Sequence, residues 1–174
     1  MKSDNPNEIF PVVTETGRTI GRATRAQCHS GSKLLHPVVH LHVFDRRGRL
    51  YLQKRPLWKD IQPGKWDTAV GGHVDYGEPL SDALRREAAE ELGLSAFEPE
   101  FLGSYVFESQ RERELVNVFR TVVDCEPVPS GELDGGRFWF PDEIAEAFGR
   151  DILTPNFESE CLRLELIPDA GKKK

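Results

Sequence analysis

The chain has 174 residues, 38% of them hydrophobic and 30% charged, a balance that fits one soluble globular domain built on a single core. Its net charge of −6 and pI near 5.4 argue against partners such as a nucleic acid polymer or an anionic membrane, since both require a basic field. Cys28, Cys125 and Cys161 are widely spaced and make no CxxC pair, so neither a disulfide framework nor a zinc knuckle is indicated, and a reducing cytoplasm is the expected setting. The N-terminus carries no apolar signal core, and no run reaches membrane-spanning length.

In chain order, residues 1–7 are polar and expected to be flexible, 8–168 to form the domain, and 169–174 to be a flexible tail. Segments 8–13 and 18–21, split by Glu15-Thr16-Gly17, suggest a hairpin, and 22–36 a single helical turn with a Ser-Gly-Ser loop. The alternating, β-branched segment 38–44 turns at 45–48 and returns as 50–54, which predicts an antiparallel pair. Residues 55–66 are rich in Pro, Gly and Trp and read as a long loop, followed by one strand over 67–73. A helix is predicted over 79–92, with Pro79 in its first position, Gly93 at its end and a buried stripe of Leu80, Leu84, Ala88 and Leu92. Strands at 101–108, 114–124 and 137–140 follow, then a helix opened by Pro141 to about Phe148 and a last one from the Thr154-Pro155 cap to Leu166. This order suits a mixed sheet covered on two faces.

Chemistry concentrates around the predicted central helix. Glu87 and Glu91 lie one helical turn apart at the margin of the apolar stripe, and Glu90 joins the same side. Converging carboxylates repel unless a cation lies among them, and oxygen-only ligands suit Mg²⁺ or Mn²⁺; a solvated acidic face is the alternative. The surrounding spacing is Gly72, five residues, Glu78, seven residues, Arg86-Glu87, then Ala88, Glu90-Glu91, Gly93 and Leu94. That pattern resembles the Nudix box, the signature of metal-dependent pyrophosphohydrolases, with Ala88 standing where the family usually has a larger apolar residue. The resemblance implies an α/β/α sandwich with a mixed central sheet. It implies metal ligands at Glu87, Glu90 and Glu91, a structural frame of Gly72, Glu78 and Gly93, and an Arg86 that pairs with Glu78 inside the catalytic set. Glu90, then Glu114, are the candidates for the general base. Lys54, Arg55, Lys59 and Trp66 are candidates for substrate binding, and Asn156 and Phe157 for reaching the pocket.

A second pattern involves histidines. His29 stands seven before His36 of the pair Leu35-His36, His73 follows Gly72, and Glu112 and Glu114 precede a later strand. Here the chain is similar to isopentenyl diphosphate isomerase, a Nudix-fold enzyme, over about residues 8–120. In that enzyme residues in these contexts form a three-histidine, two-glutamate metal site, which implies a second divalent ion here. The isomerase has an acid-base cysteine two residues before the box histidine, and this chain has Gly71 there. The combined expectation is an isomerase-like Nudix protein that hydrolyses a small-molecule diphosphate, a nucleoside diphosphate derivative or related pyrophosphate. Alternatives are an isomerase-like enzyme and a non-catalytic metal-binding module. His40 and His42, on one face of an alternating strand, are expected to be packed or hydrogen-bonded.

Overall fold

The computed structural model describes residues 5–59 and 61–172. The expected loose ends at 1–4 and 173–174, like residue 60 of the long loop, lie outside the described residues. The hairpin β1 (Ile9–Val13) and β2 (Thr19–Thr24) leads into α1 (Arg25–Cys28), a single turn closed by a capping box between Thr24 and Gln27. Strands β3 (Leu35–Asp45), β4 (Leu50–Lys54), β5 (Trp66–Thr68) and β6 (Val70–His73) precede α2 (Leu80–Leu92). Then come β7 (Glu100–Glu108), β8 (Arg113–Val123), β9 (Gly136–Trp139), α3 (Pro141–Ala147) and α4 (Pro155–Leu164).

Seven strands form one mixed sheet in the order β5-β4-β3-β8-β7, with β6 also on β3 and β9 on β4. The β3–β8 pair is parallel over all eleven residues of β3. Successive side chains of a strand face opposite sides. Val39, Leu41 and Val43 accordingly pack on Leu84, Ala88 and Leu92 of α2, and α4 sets Phe157 and Cys161 against Leu50, Leu52 and Trp139. The sheet therefore lies between helices, the expected α/β/α arrangement.

Several expectations change in detail. The β3–β4 hairpin pairs only at its base, Phe44 with Leu50, because β6 takes the neighbouring edge of β3 over Val38–Leu41. The strand expected over 67–73 breaks at Ala69, where the chain leaves β4 and joins β3. Pro79 is the N-cap of α2 (ψ 146°), outside the helix. Leu80, expected in the buried stripe, is 38% exposed, and Ala83 is buried instead. Leu80 is the first residue of the helix, and the buried stripe begins only at Ala83 and Leu84, one turn further in. Gly93 ends α2 in the left-handed conformation (φ 64°), as expected, which costs a glycine little. The last helix stops at Leu164, two residues early, where Glu165 itself turns left-handed (φ 50°).

Candidate active site and metal centre

Gly71 and Gly72 of β6 stand between two groups of ionisable side chains. A Cβ added to Gly72 would overlap the Glu87 carboxylate, whereas one added to Gly71 would meet the His40 ring on the other face, at 3.5 Å. On the α2 side, the Gly71 N–H donates to Glu91 Oε2 at 3.3 Å, and Gln53 Nε2 donates to the same oxygen at 3.4 Å. Burial, then the neighbouring Glu87 charge, push the Glu91 carboxyl up to about 8. Two acids pressed together in a poorly solvated place are an arrangement that a divalent cation stabilises.

Arg86 organises this side. Its Nε and Nη2 both donate to Glu78 at 2.9 Å, Nη2 also donates to His73 O at 3.0 Å, and Nη1 donates to Glu87 Oε1 at 2.6 Å. The fork depresses the Glu78 carboxyl below its ordinary range and drives the guanidinium further up. Glu78 also accepts the Asp75 N–H at 3.0 Å, so one carboxylate ties the turn to the helix. Glu90 differs from Glu87 and Glu91: it is exposed and lies 3.7 Å from Arg86 Nη1.

On the opposite face, His29 at the end of α1, His36 of β3, His73 of β6 and Glu114 of β8 bring one ligand atom each within 4.8 Å of one another. The Nε2 atoms of all three histidines are buried without a hydrogen-bond partner. Leu34 O takes the Nδ1 proton of His36 at 3.0 Å, which leaves the Nε2 lone pair for a ligand. Burial, then His73 and His36, lower His29 to about 4, and His36 is lowered too, mainly by burial. Three imidazoles brought to one point beside a carboxylate are a donor set for a divalent ion such as Mn²⁺ or Zn²⁺. Glu112 stands at the rim, 3.1 Å from His29 Nε2, its carboxyl raised by burial and then by Glu114. Phe10 stacks on His73 at 4.5 Å and 1°, so the first hairpin roofs the cluster.

A family model described as the NUDIX domain matches residues 34–157. The chain belongs to the Nudix family. It is 41% identical over 90 residues to an isopentenyl-diphosphate Delta-isomerase of Leifsonia xyli, a match that covers 52% of this chain and about half (49%) of that enzyme. It is 32% identical over 160 residues to an uncharacterized Nudix hydrolase of Pseudomonas aeruginosa, covering 91% of this chain and 94% of the relative. A crystal structure from Deinococcus radiodurans shares the fold, with a TM-score of 0.76 at 23% identity, over 90% of this chain and 99% of the other. These relatives fit an isopentenyl diphosphate isomerase-like branch of the Nudix family.

The remaining candidates of this Nudix chain are more dispersed. Arg55 pairs with Asp67 at 3.3 Å and donates to Ile61 O, which pins the long loop. Lys54 lies 3.9 Å from Asp134 and faces the Trp66 ring, while Lys59 lies over Trp58. Trp66 packs edge-on against Trp139 at 5.1 Å. Phe157 is buried in the core, but Asn156 lines a cavity of about 130 Å³ with His40, Tyr105, Glu114, Ser159 and Arg163. The larger cavity, about 350 Å³, surrounds Asp45 and Arg137 at the far end of β3, and none of the expected site residues lines it. Sequence reasoning missed Glu160 of α4, the partner of both His40 and His42. Its i,i+4 relation to Asn156 was the available signal, but its partners lie about 120 residues away.

Proposed function

We propose that this Nudix protein is a metal-dependent hydrolase that cleaves the diphosphate linkage of a nucleoside diphosphate derivative or a related small pyrophosphate. The observation that carries the reading is the crowding of the Glu87 and Glu91 carboxylates against the Gly71-Gly72 backbone, with Glu91 pushed up to about 8. Glu87, Glu90 and Glu91 would hold Mg²⁺ or Mn²⁺, and His29, His36, His73 and Glu114, with Glu112 at the rim, a second divalent ion. The bound ion supplies charge neutralisation on the diphosphate oxygens and a water of lowered pKa.

The chain's own groups do the rest. Glu90, the exposed member, accepts the proton of the attacking water, with Glu114 as the second candidate. Arg86 fixes the Glu87 carboxylate through the Glu78 clamp. Lys54, Arg55 and Lys59 offer charge to outer phosphates, and Trp66 braces that edge. The three cysteines are free, which accords with a reducing cytoplasm. Incubation with nucleoside diphosphate-X compounds, dinucleoside polyphosphates and isopentenyl diphosphate, with Mg²⁺ and with Mn²⁺, tests the reading. Hydrolysis of at least one nucleotide is expected, and no turnover of any compound would leave only a metal-binding module.

The histidine cluster favours a second reading, isomerisation of isopentenyl diphosphate. Gly71 leaves that reading without an acid-base thiol at the box, and the same panel decides it.

A further inference from the structure

Glu160 is 1% exposed in the middle of α4 and accepts hydrogen bonds from His42 Nε2 at 2.6 Å, from His40 Nδ1 at 2.8 Å and from the Tyr105 hydroxyl. Burying a carboxylate with imidazole partners is costly, and apolar packing of the same volume serves stability as well or better. The two imidazoles are also used differently. His42 is fully buried and gives Nε2 to the carboxylate. His40 gives Nδ1, so its Nε2 is turned toward Gly71, where a Cβ would lie 3.7 Å away and glycine leaves room.

That ring faces the cavity of about 130 Å³ between β7, β8 and α4. Its two lining carboxylates face other partners. Glu108 lies 3.6 Å from Lys33 and 3.5 Å from Arg113, Glu114 belongs to the candidate metal cluster of His29, His36 and His73, and Glu160, outside the lining, holds the two histidines. Arg163 stacks over the Tyr105 ring at 4.4 Å, which holds a guanidinium at the cavity wall beside Asn156 and Ser159. His40, hydrogen-bonded to a buried carboxylate, and Arg163 thus line one space whose acids face other partners, the chemistry of an anion site.

We propose that this cavity is the subsite for one phosphoryl group of the substrate, with the His40 ring and the Arg163 guanidinium as its recognising groups and Glu160 as the residue that positions His40. The assignment rests on the diphosphate reading above and deepens it, since it places a phosphate on the histidine face of β6 as well as beside the box glutamates. The probe is inorganic pyrophosphate with Mg²⁺, followed by calorimetry and by the ¹⁵N resonances of the imidazoles.

Wild-type protein should bind it and shift the His40 Nε2 signal. His40→Gln and Arg163→Ala should each weaken binding at least tenfold; Arg163 is exposed and its variant should keep the wild-type melting temperature, which separates lost binding from lost stability. Glu160→Gln should move the His40 ring spectrum toward neutral imidazole and weaken binding similarly, and Glu160→Asp should restore some of both; an unchanged ring spectrum overturns the positioning role. Affinity within threefold of wild type in both His40→Gln and Arg163→Ala overturns the subsite, whatever the protein hydrolyses. Absence of turnover on every nucleotide, with the binding differences intact, overturns the hydrolase reading and leaves the subsite standing.

Discussion

The two faces of β6 handle charge in opposite ways. On the α2 side acids are forced together, and burial with the Glu87 charge pushes Glu91 up to about 8. On the other side bases are forced together, and burial with neighbouring imidazoles lowers His29 to about 4. A cation would relieve each face for a different reason: the acids repel, whereas the buried Nε2 atoms of the imidazoles make no hydrogen bond. A one-residue step along a strand changes face, so the adjacent glycines Gly71 and Gly72 serve two sites at once.

The largest expected effect breaks the acidic face alone. Glu91→Gln should lower Mg²⁺-dependent turnover by about 10³-fold, measured as phosphate release, while leaving the melting temperature of the metal-free protein the same or higher. Full activity in that variant removes the metal role of the acidic face. Gly72→Ala inserts a methyl where the Glu87 carboxylate lies and should cost about 10²-fold in kcat, with circular dichroism unchanged.

The histidine face is broken independently by His73→Ala, which should remove one bound ion by elemental analysis while leaving the acidic face loaded. Equal metal content in wild type and variant would end the case for a second ion.

Acid and alkali sharpen the contrast between His29 and His40. His29 is lowered in the fold, so its contribution is present above the unfolded value of 6.5 and is lost as pH falls toward about 4. His40 is the reverse: burial works to lower it, but the Glu160 carboxylate prevails and raises it to about 9. Its contribution is whole below 6.5 and is lost as pH rises through about 9. Urea titrations across pH should therefore show losses at both ends, and His40→Gln should flatten only the alkaline one. The smallest effect concerns the frame: Glu78→Gln halves the Arg86 fork and should cost about 1–3 kcal/mol of stability by denaturant titration.

Much of the candidate site's local arrangement was legible because its residues are neighbours in the chain. Glu78, Arg86, Glu87 and Glu91 are close neighbours along the chain, and the geometry of one helix and its entering turn orders them. Gly93 and the Thr154-Pro155 cap mark helix ends for equally local reasons. Pro79 fell outside the helix and Leu80 outside the core because neither depends on period alone: one is set by the entering turn, the other by its place as the first residue of the helix. The break at Ala69 was not legible either, since a strand's choice of partner is made by its neighbours.

The sequence by itself determined the family pattern, the acidic helix edge and the order of strands and helices, all of which follow from spacings of a few residues. Only the tertiary structure decided that His29, His36 and His73 converge on Glu114, that Glu160 meets His40 and His42 across about 120 residues, and that Gly71 and Gly72 separate an acidic cluster from a basic one. Pairing of distant strands fixes which faces meet, and that pairing depends on packing between segments whose sequences carry no mark of each other.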